Sequence, residues 1–124
     1  MVKKVILDSS FIISAAKKKI DIFEEIPFMG IKIVVPDEVI AEIEGVKNSK
    51  QKLKEREGAE LALKILGANK YESVKLGKSY VDNGLRKYAK EHPSVIIATL
   101  DKQLKKDIPN YLMVIRGEKK LEIL

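Results

Sequence analysis

The stretch VKKVILDSSFII, residues 2–13, decides the fold, because one acid and two hydroxyl residues separate two apolar runs. The first run predicts a strand over Val2–Leu7 that is buried on both faces. Either Ser9 or Ser10 is suited to cap a helix that contains the second run. Asp8 therefore stands where a buried strand ends, a position at which a lone carboxylate needs an explanation.

Length, charge and composition predict one folded domain with an affinity for anions. The chain has 124 residues, 45% hydrophobic and 34% charged, so we expect a single domain over residues 1–124. The net charge of +6 favours a polyanionic partner such as nucleic acid. The chain has no cysteine, which excludes disulfides and thiolate metal sites. Because no apolar run is long enough for a signal peptide or a membrane span, we expect a cytoplasmic protein without a membrane partner.

Apolar runs and helical periodicities alternate along the chain, which predicts a parallel sheet covered by helices on both faces. The predicted strands are Val2–Leu7, IKIVV (31–35), Tyr71–Leu76, SVIIATL (94–100) and YLMVI (111–115). The predicted helices cover residues 11–16, 20–26, 36–46, 59–66, 81–89 and 102–106, the second ending at Pro27. We expect the polar, mostly basic stretch Lys47–Gly58 to be an exposed loop, and we leave Lys120–Leu124 unassigned.

Two acids follow strands that are apolar on both faces. Asp8 ends the first strand, and Asp101 follows VIIATL (95–100) in the same way. The carboxyl ends of parallel strands meet at one edge of the sheet, where open α/β folds bind their ligands. Either residue alone is equally well explained as the N-cap of the helix that follows it.

Two further acids lie at the borders of apolar helix faces. Glu42 borders the apolar stripe of its helix, and Asp82 lies beside Leu85 of another. Both positions allow a carboxylate to lean over the sheet edge, although a solvent-exposed helix face explains either one singly. Glu42 borders one side of the apolar stripe, and Glu44 borders the other side. Helical geometry alone therefore does not decide which of these two acids belongs to the site.

Four carboxylates in one cleft would raise one another's pKa values unless a cation neutralised them. Oxygen ligands select hard cations such as Mg²⁺ or Mn²⁺, which also bind water and phosphate oxygens. Such a metal polarises a phosphodiester and generates a hydroxide nucleophile. The acids therefore favour a phosphodiesterase that acts on nucleic acid.

Four blocks of the sequence, in their order and spacing, resemble the PIN-domain ribonucleases. The blocks are LDSSFII, VVPDEVIAEIEGV, YVDNGLRKYA and IIATLDKQLKK. The resemblance covers almost the whole chain and implies a three-layer α/β sandwich with a five-stranded parallel sheet in the order 3-2-1-4-5. It also implies a Mg²⁺- or Mn²⁺-dependent endoribonuclease. The last block resembles most the nucleases of ribosomal RNA processing and their archaeal relatives, with VapC-type toxins as the next branch.

The resemblance assigns roles to individual residues. It implies that Asp8, Glu42, Asp82 and Asp101 are the catalytic and metal-binding acids, and thus selects Glu42 over Glu44. Many relatives carry a second acid where this chain has Asn83 and Gln103. These departures put in doubt a second metal that is held without substrate.

Polar side chains near the acids are candidates for holding them in place. Ser10 and Thr99 can donate to Asp8, and Asn83 lies beside Asp82. A helix cap explains Ser10 and an ordinary strand position explains Thr99 about as well. Two basic groups are candidate nucleic-acid contacts, with a merely solvated surface as the alternative: Lys47, Lys50, Lys52, Lys54 and Arg56, and then Lys102, Lys105 and Lys106.

Other functional classes have this length and fold. A phosphorelay receiver needs acids that are missing from Lys47–Lys54, and a haloacid-dehalogenase-type phosphatase needs an acid where this chain has Ser10. A PIN domain that binds RNA or protein without cutting remains open. The resemblance implies RNA as a partner and leaves open a homodimer, a ribosome-assembly partner and an antitoxin.

Overall fold

A computed structural model describes residues 3–77 and 80–124. Helices and strands alternate along these residues, as the apolar runs and periodicities predict. The strands are β1 (Lys3–Leu7), β2 (Ile31–Pro36), β3 (Glu72–Val74), β4 (Ile96–Ala98), β5 (Leu112–Arg116) and β6 (Lys120–Ile123). The helices are α1 (Ser9–Lys17), α2 (Ile22–Phe28), α3 (Asp37–Lys47), α4 (Leu53–Ala68), α5 (Val81–Glu91) and α6 (Lys102–Asp107).

The sheet has the order β3-β2-β1-β4-β5-β6. The first five strands are parallel, which confirms the predicted order 3-2-1-4-5. The sixth strand is antiparallel to β5 and was not predicted. It forms because the chain reverses at Gly117, which has a φ of 58°, and because Arg116 pairs with Glu122 across the hairpin at 2.9 Å.

Both faces of the sheet are covered, so the domain has three layers. Val5 and Leu7 of β1 face a cluster built with α1, α2, α3 and α4, whereas Ile6 faces a cluster built with α5 and α6. All three side chains are fully buried. This alternation of faces along one strand explains why β1 is an uninterrupted apolar run.

Several boundaries differ from those predicted. Helix α4 begins at Leu53, so only residues 48–52 of the predicted loop Lys47–Gly58 remain a loop. The polar segment is helical because Gly58 and Ala59 are buried against the rest of the fold. Pro27 lies inside α2, where it forfeits only one hydrogen bond near the end of the helix. Val2, the first residue of the predicted strand, lies outside the described residues.

No helix in the described ranges, residues 3–77 and 80–124, is both long and apolar enough to cross a lipid bilayer.

Candidate metal and nucleic-acid site

Asp8 lies where β1 meets α1, next to the end of β4. Its backbone N–H donates to the Ala98 carbonyl at 2.9 Å, and its side chain accepts a hydrogen bond from the Ser9 N–H at 2.8 Å. Asp8 is therefore the N-cap of α1, and the prediction of Ser9 or Ser10 as cap is wrong. The extended backbone of Asp8 continues the strand by one residue, so both serines fall in the first turn of the helix.

Hydroxyl groups from two elements hold the second oxygen of Asp8. Thr99 Oγ1 donates to Asp8 Oδ2 at 2.7 Å, and Ser10 Oγ makes a longer contact to the same oxygen at 3.4 Å. The Ser10 hydroxyl also accepts from the Leu100 N–H at 3.1 Å, and Thr99 Oγ1 accepts from the Asp101 N–H at 3.1 Å. These bonds join the ends of β1 and β4, so Asp8, only 3% exposed, has a fixed orientation.

Asp101 caps the helix that follows it. Its Oδ1 accepts from the backbone N–H groups of Gln103 and Leu104, at 2.9 and 3.1 Å. The interpretation of Asp101 as a helix N-cap is thus confirmed. Both bonds use the same carboxylate oxygen, so capping is compatible with metal binding through the other oxygen.

Glu42 is joined to the site by a residue whose role the sequence did not reveal. The Ser9 hydroxyl donates to Glu42 Oε1 and so connects the start of α1 with α3. Ser9 is buried, with 8% of its surface exposed. The sequence offered one signal for this role: Ser9 directly follows the strand-end acid, where a small hydroxyl faces the neighbouring helix.

Asp82 lies in the first turn of α5 and is half-buried. Burial raises the pKa of Asp82, and the charges of Asp101 and Asp8 raise it further. A hydrogen bond shared with the Asp101 carboxyl acts in the same direction, whereas Arg86 lowers this pKa. Asp82 is therefore electrostatically coupled to both strand-end acids.

The pKa of Asp8 is raised as well, mainly because its carboxyl is buried. The hydrogen bonds from Thr99 and Ser9 oppose this effect, and the charges of Glu42 and Asp101 add to it. Asp8 is thus affected by the charges of Glu42 and Asp101, and Asp82 by those of Asp101 and Asp8.

The donor chemistry of this edge suits a hard divalent cation, since all four candidates offer carboxylate oxygens. As the side chains stand in residues 3–77 and 80–124, no three acidic or histidine side chains are grouped tightly enough to hold a metal ion. Hydrogen bonds nevertheless connect Asp8 with the Asp101 backbone through Thr99, and the start of α1 with Glu42 through Ser9. Since repulsion separates unneutralised acids, a cation would draw them closer.

Asn83 makes its hydrogen bond away from the acids. Arg86 Nη1 donates to Asn83 Oδ1 at 3.1 Å, and Arg86 Nε donates to Asp107 Oδ2 at 2.8 Å. Gln103 Nε2 donates to the other Asp107 oxygen at 3.0 Å. This network joins α5 to α6, and a supporting role of Asn83 at the acids stays a prediction.

Glu38 binds the backbone that follows β3, another role that the sequence did not reveal. Its carboxylate accepts from the backbone N–H groups of Leu76 and Gly77, at 3.0 and 3.2 Å. The Leu76 N–H lowers the pKa of Glu38, desolvation opposes this effect, and further backbone N–H groups and the charge of Lys75 add to the lowering. Glu38 precedes Glu42 by one helical turn, so one helix connects two acid-bearing parts of the fold.

The two basic groups lie on elements that adjoin the acids. Lys102, Lys105 and Lys106 belong to α6, which begins directly after Asp101. In the other group, Lys47 ends α3, whereas Lys50 and Lys52 lie in the connecting loop, and Lys54 and Arg56 are in the first turns of α4. Most of these side chains are exposed, as contacts to phosphate require.

A comparison with protein families decides the class. Residues 5–116 match the family model described as a PIN like domain. The chain belongs to this family. The resemblance to the PIN-domain ribonucleases is thereby confirmed, and the receiver and phosphatase classes are excluded.

Individual relatives agree with this assignment. Ribonuclease VapC4 of Methanocaldococcus jannaschii is 33% identical over 128 residues, covering 97% of this chain and 95% of that protein. The solved PIN domain endonuclease Utp24 is similar with a TM-score of 0.75 and 25% identity, covering 98% of this chain and 92% of the other. A domain of a functionally unknown protein from M. jannaschii has a TM-score of 0.57 and 22% identity, covering 98% of both chains, and supports the fold alone.

Proposed function

We propose that this PIN-family protein is a metal-dependent endoribonuclease that hydrolyses RNA phosphodiester bonds. The observation that supports the proposal is the hydrogen-bond network at the end of β1, in which Thr99 joins Asp8 to the Asp101 backbone and Ser9 joins the start of α1 to Glu42. A cluster of like charges destabilises the folded chain unless a cation balances it, so the cluster is explained by function rather than by stability. The similarity to Ribonuclease VapC4 supports RNA as the substrate.

In this proposal the four acids would hold Mg²⁺ or Mn²⁺. Such a metal would polarise the phosphodiester and activate a water for attack on the phosphorus. Thr99 and Ser10 keep Asp8 oriented, and Ser9 keeps Glu42 turned towards the strand ends. The lysines of α6, one of which directly follows Asp101, bind the RNA phosphates beside the site.

A VapC-type toxin ribonuclease is the second candidate function, favoured by the 33% identity to VapC4. It implies an antitoxin partner, whereas a role in ribosomal RNA processing implies a ribosome-assembly partner. The likeness to Utp24 is one to an endonuclease and does not distinguish these roles. A homodimer, a cytoplasmic location and a single domain over residues 1–124 remain parts of the proposal.

The test is incubation of the protein with single-stranded and structured RNAs in the presence of Mn²⁺, Mg²⁺ or EDTA. We expect internal cleavage with either metal, none with EDTA, and strongly reduced cleavage by Asp8→Asn at every metal concentration used. RNA binding without cleavage under all conditions would instead identify the chain as a non-catalytic PIN-fold RNA-binding module. Cleavage in EDTA would reject the role of the metal.

A further inference from the structure

A shallow cavity of about 220 Å³ lies beside the acids, between α1 and α4. It is lined by Ser10, Ile13, Ser14, Lys17, Glu55 and Leu100. It shares a wall with the candidate site, because the Ser10 hydroxyl contacts Asp8 and also accepts a hydrogen bond from the Leu100 N–H. A group bound here is therefore next to Asp8.

The cavity contains the one acid that interrupts the basic run from Lys47 to Arg56. This acid, Glu55, is ion-paired with Lys17 across the cavity. In a surface that binds only phosphates an acid weakens the attraction, so the charge of Glu55 suggests a different ligand group. A carboxylate accepts hydrogen bonds from N–H donors, and among the parts of RNA these donors are found on the base edges.

A glycine in α4 packs against two residues that line the cavity, Lys17 and Ile13. A Cβ at Gly58 would lie 2.7 Å from Lys17 Cγ and 3.2 Å from Ile13 Cγ2. Glycine in a helix interior is less stable than alanine, so its presence here needs a packing reason. Without a side chain at residue 58, the stem of Lys17 lies directly on α4 and its ammonium group reaches Glu55.

Building on the proposed ribonuclease function, we propose that this cavity binds a guanine base of the RNA, adjacent to the cleaved phosphate. Guanine is the RNA base whose Watson–Crick edge places two N–H donors, N1–H and N2–H, side by side next to a carbonyl acceptor. The Glu55 carboxylate accepts from both donors, and the Lys17 ammonium donates to the carbonyl O6. Ile13 and Leu100 provide apolar contacts for the base.

The first experiment measures base binding without cleavage. The methyl groups of Ile13 and Leu100 are followed by NMR in EDTA while GMP, AMP, CMP or UMP is added. All four nucleotides carry the same phosphate, so a difference among them reports the base. We expect the largest shifts at the lowest concentration with GMP. Equal responses to all four nucleotides, or a preference for another base, would overturn the assignment of guanine.

The second experiment uses RNAs that contain one guanine among uridines, cleaved with Mn²⁺. We expect cutting next to the guanine, and we expect Glu55→Gln to reduce this preference in kcat/KM by about tenfold, because one bidentate contact is lost. The control Glu60→Gln breaks another ion pair of α4, with Lys64 at 3.6 Å, outside the cavity. It should retain the preference, and both variants should keep the wild-type Tm.

The outcomes separate this proposal from the proposed function. If the wild type cleaves RNA and Glu55→Gln leaves the guanine preference unchanged, the cavity assignment is wrong and the nuclease assignment stands. If GMP binds selectively to the cavity and no RNA is cut under any metal condition, the nuclease assignment is wrong and the guanine site stands.

Discussion

The two edges of the sheet treat their charges in opposite ways. At the amino edge Lys4 pairs with Glu72 at 3.1 Å, and the rings of Tyr88 and His92 stack with centroids 4.1 Å apart. At the carboxyl edge, burial and the charges of neighbouring carboxylates raise the pKa values of Asp8 and Asp82. The same fold thus pairs Lys4 with an opposite charge at one edge, whereas like charges act on Asp8 and Asp82 at the other. This difference indicates that the carboxyl edge is organised for a ligand.

The largest expected effect comes from Asp8→Asn. It removes a negative ligand while keeping the size of the side chain, so RNA cleavage with Mn²⁺ should fall by more than about a hundredfold, beyond the typical cost of losing a residue that merely supports a ligand. Because it also removes a buried charge repelled by Glu42 and Asp101, the Tm of the metal-free protein should stay level or rise. Assays with Mn²⁺ measure the cleavage rate, and calorimetry in EDTA measures the Tm.

The matched control for Asp8→Asn is Glu72→Gln at the amino edge. It breaks a partly exposed ion pair with Lys4 and should lower the Tm slightly without changing cleavage. An active Asp8→Asn protein would show that Asp8 is only a helix cap, since asparagine caps a helix almost as well. An inactive Asp8→Asn protein with a markedly lower Tm would show that its role is structural.

A smaller effect is expected at Thr99, whose hydroxyl is fully buried and bonds both strand-end acids. Thr99→Val keeps the shape but removes the donor to Asp8, so the Mn²⁺ concentration for half-maximal cleavage should rise by about ten- to a hundredfold. Thr99→Ser keeps the hydroxyl and should restore most of the metal affinity. If Val and Ser variants require the same metal concentration, the hydroxyl does not orient a ligand.

A feature could be predicted from the sequence when residues close together in the chain encode it. The apolar runs of β1 and β4 fix two central strands, and the acids that follow them are visible from position alone. Strand β6 was missed because KLEI is short and half polar, and it pairs only through the hairpin with β5. The contact of Ser9 with Glu42 joins residues 33 positions apart, and no local pattern encodes it.

The basic side chains allow the two edges to be compared by their contribution to RNA binding. Replacing Lys52, Lys54 and Arg56 by glutamine should weaken binding of single-stranded RNA and reduce the slope of log K against log salt by about 2, at roughly 0.7 per lost phosphate contact. Replacing Lys3, Lys32 and Lys70 at the amino edge removes the same charge and should change the slope less. Binding titrations at several salt concentrations in EDTA measure both slopes. Equal slopes for the two triple variants would show that net charge, not position, governs binding.

The smallest expected effect is on the pH dependence of stability. An acid with a raised pKa and an acid with a lowered pKa change the stability in opposite directions as the pH rises. The raised pKa of Asp8 means that the folded state binds its proton more tightly than the unfolded state does. The stability from this group is complete below the ordinary pKa of 3.8 and is lost as the pH rises through the folded value. Glu38, whose pKa is lowered, contributes stability above its ordinary value and loses it as the pH falls. The Tm of Asp8→Asn minus that of the wild type, measured in EDTA, should therefore increase from acidic to neutral pH, and the corresponding difference for Glu38→Gln should decrease. If the Tm difference between Asp8→Asn and the wild type does not change with pH, burial and neighbouring charges do not raise the pKa of Asp8. The contrast between the two edges would then lose its physical basis.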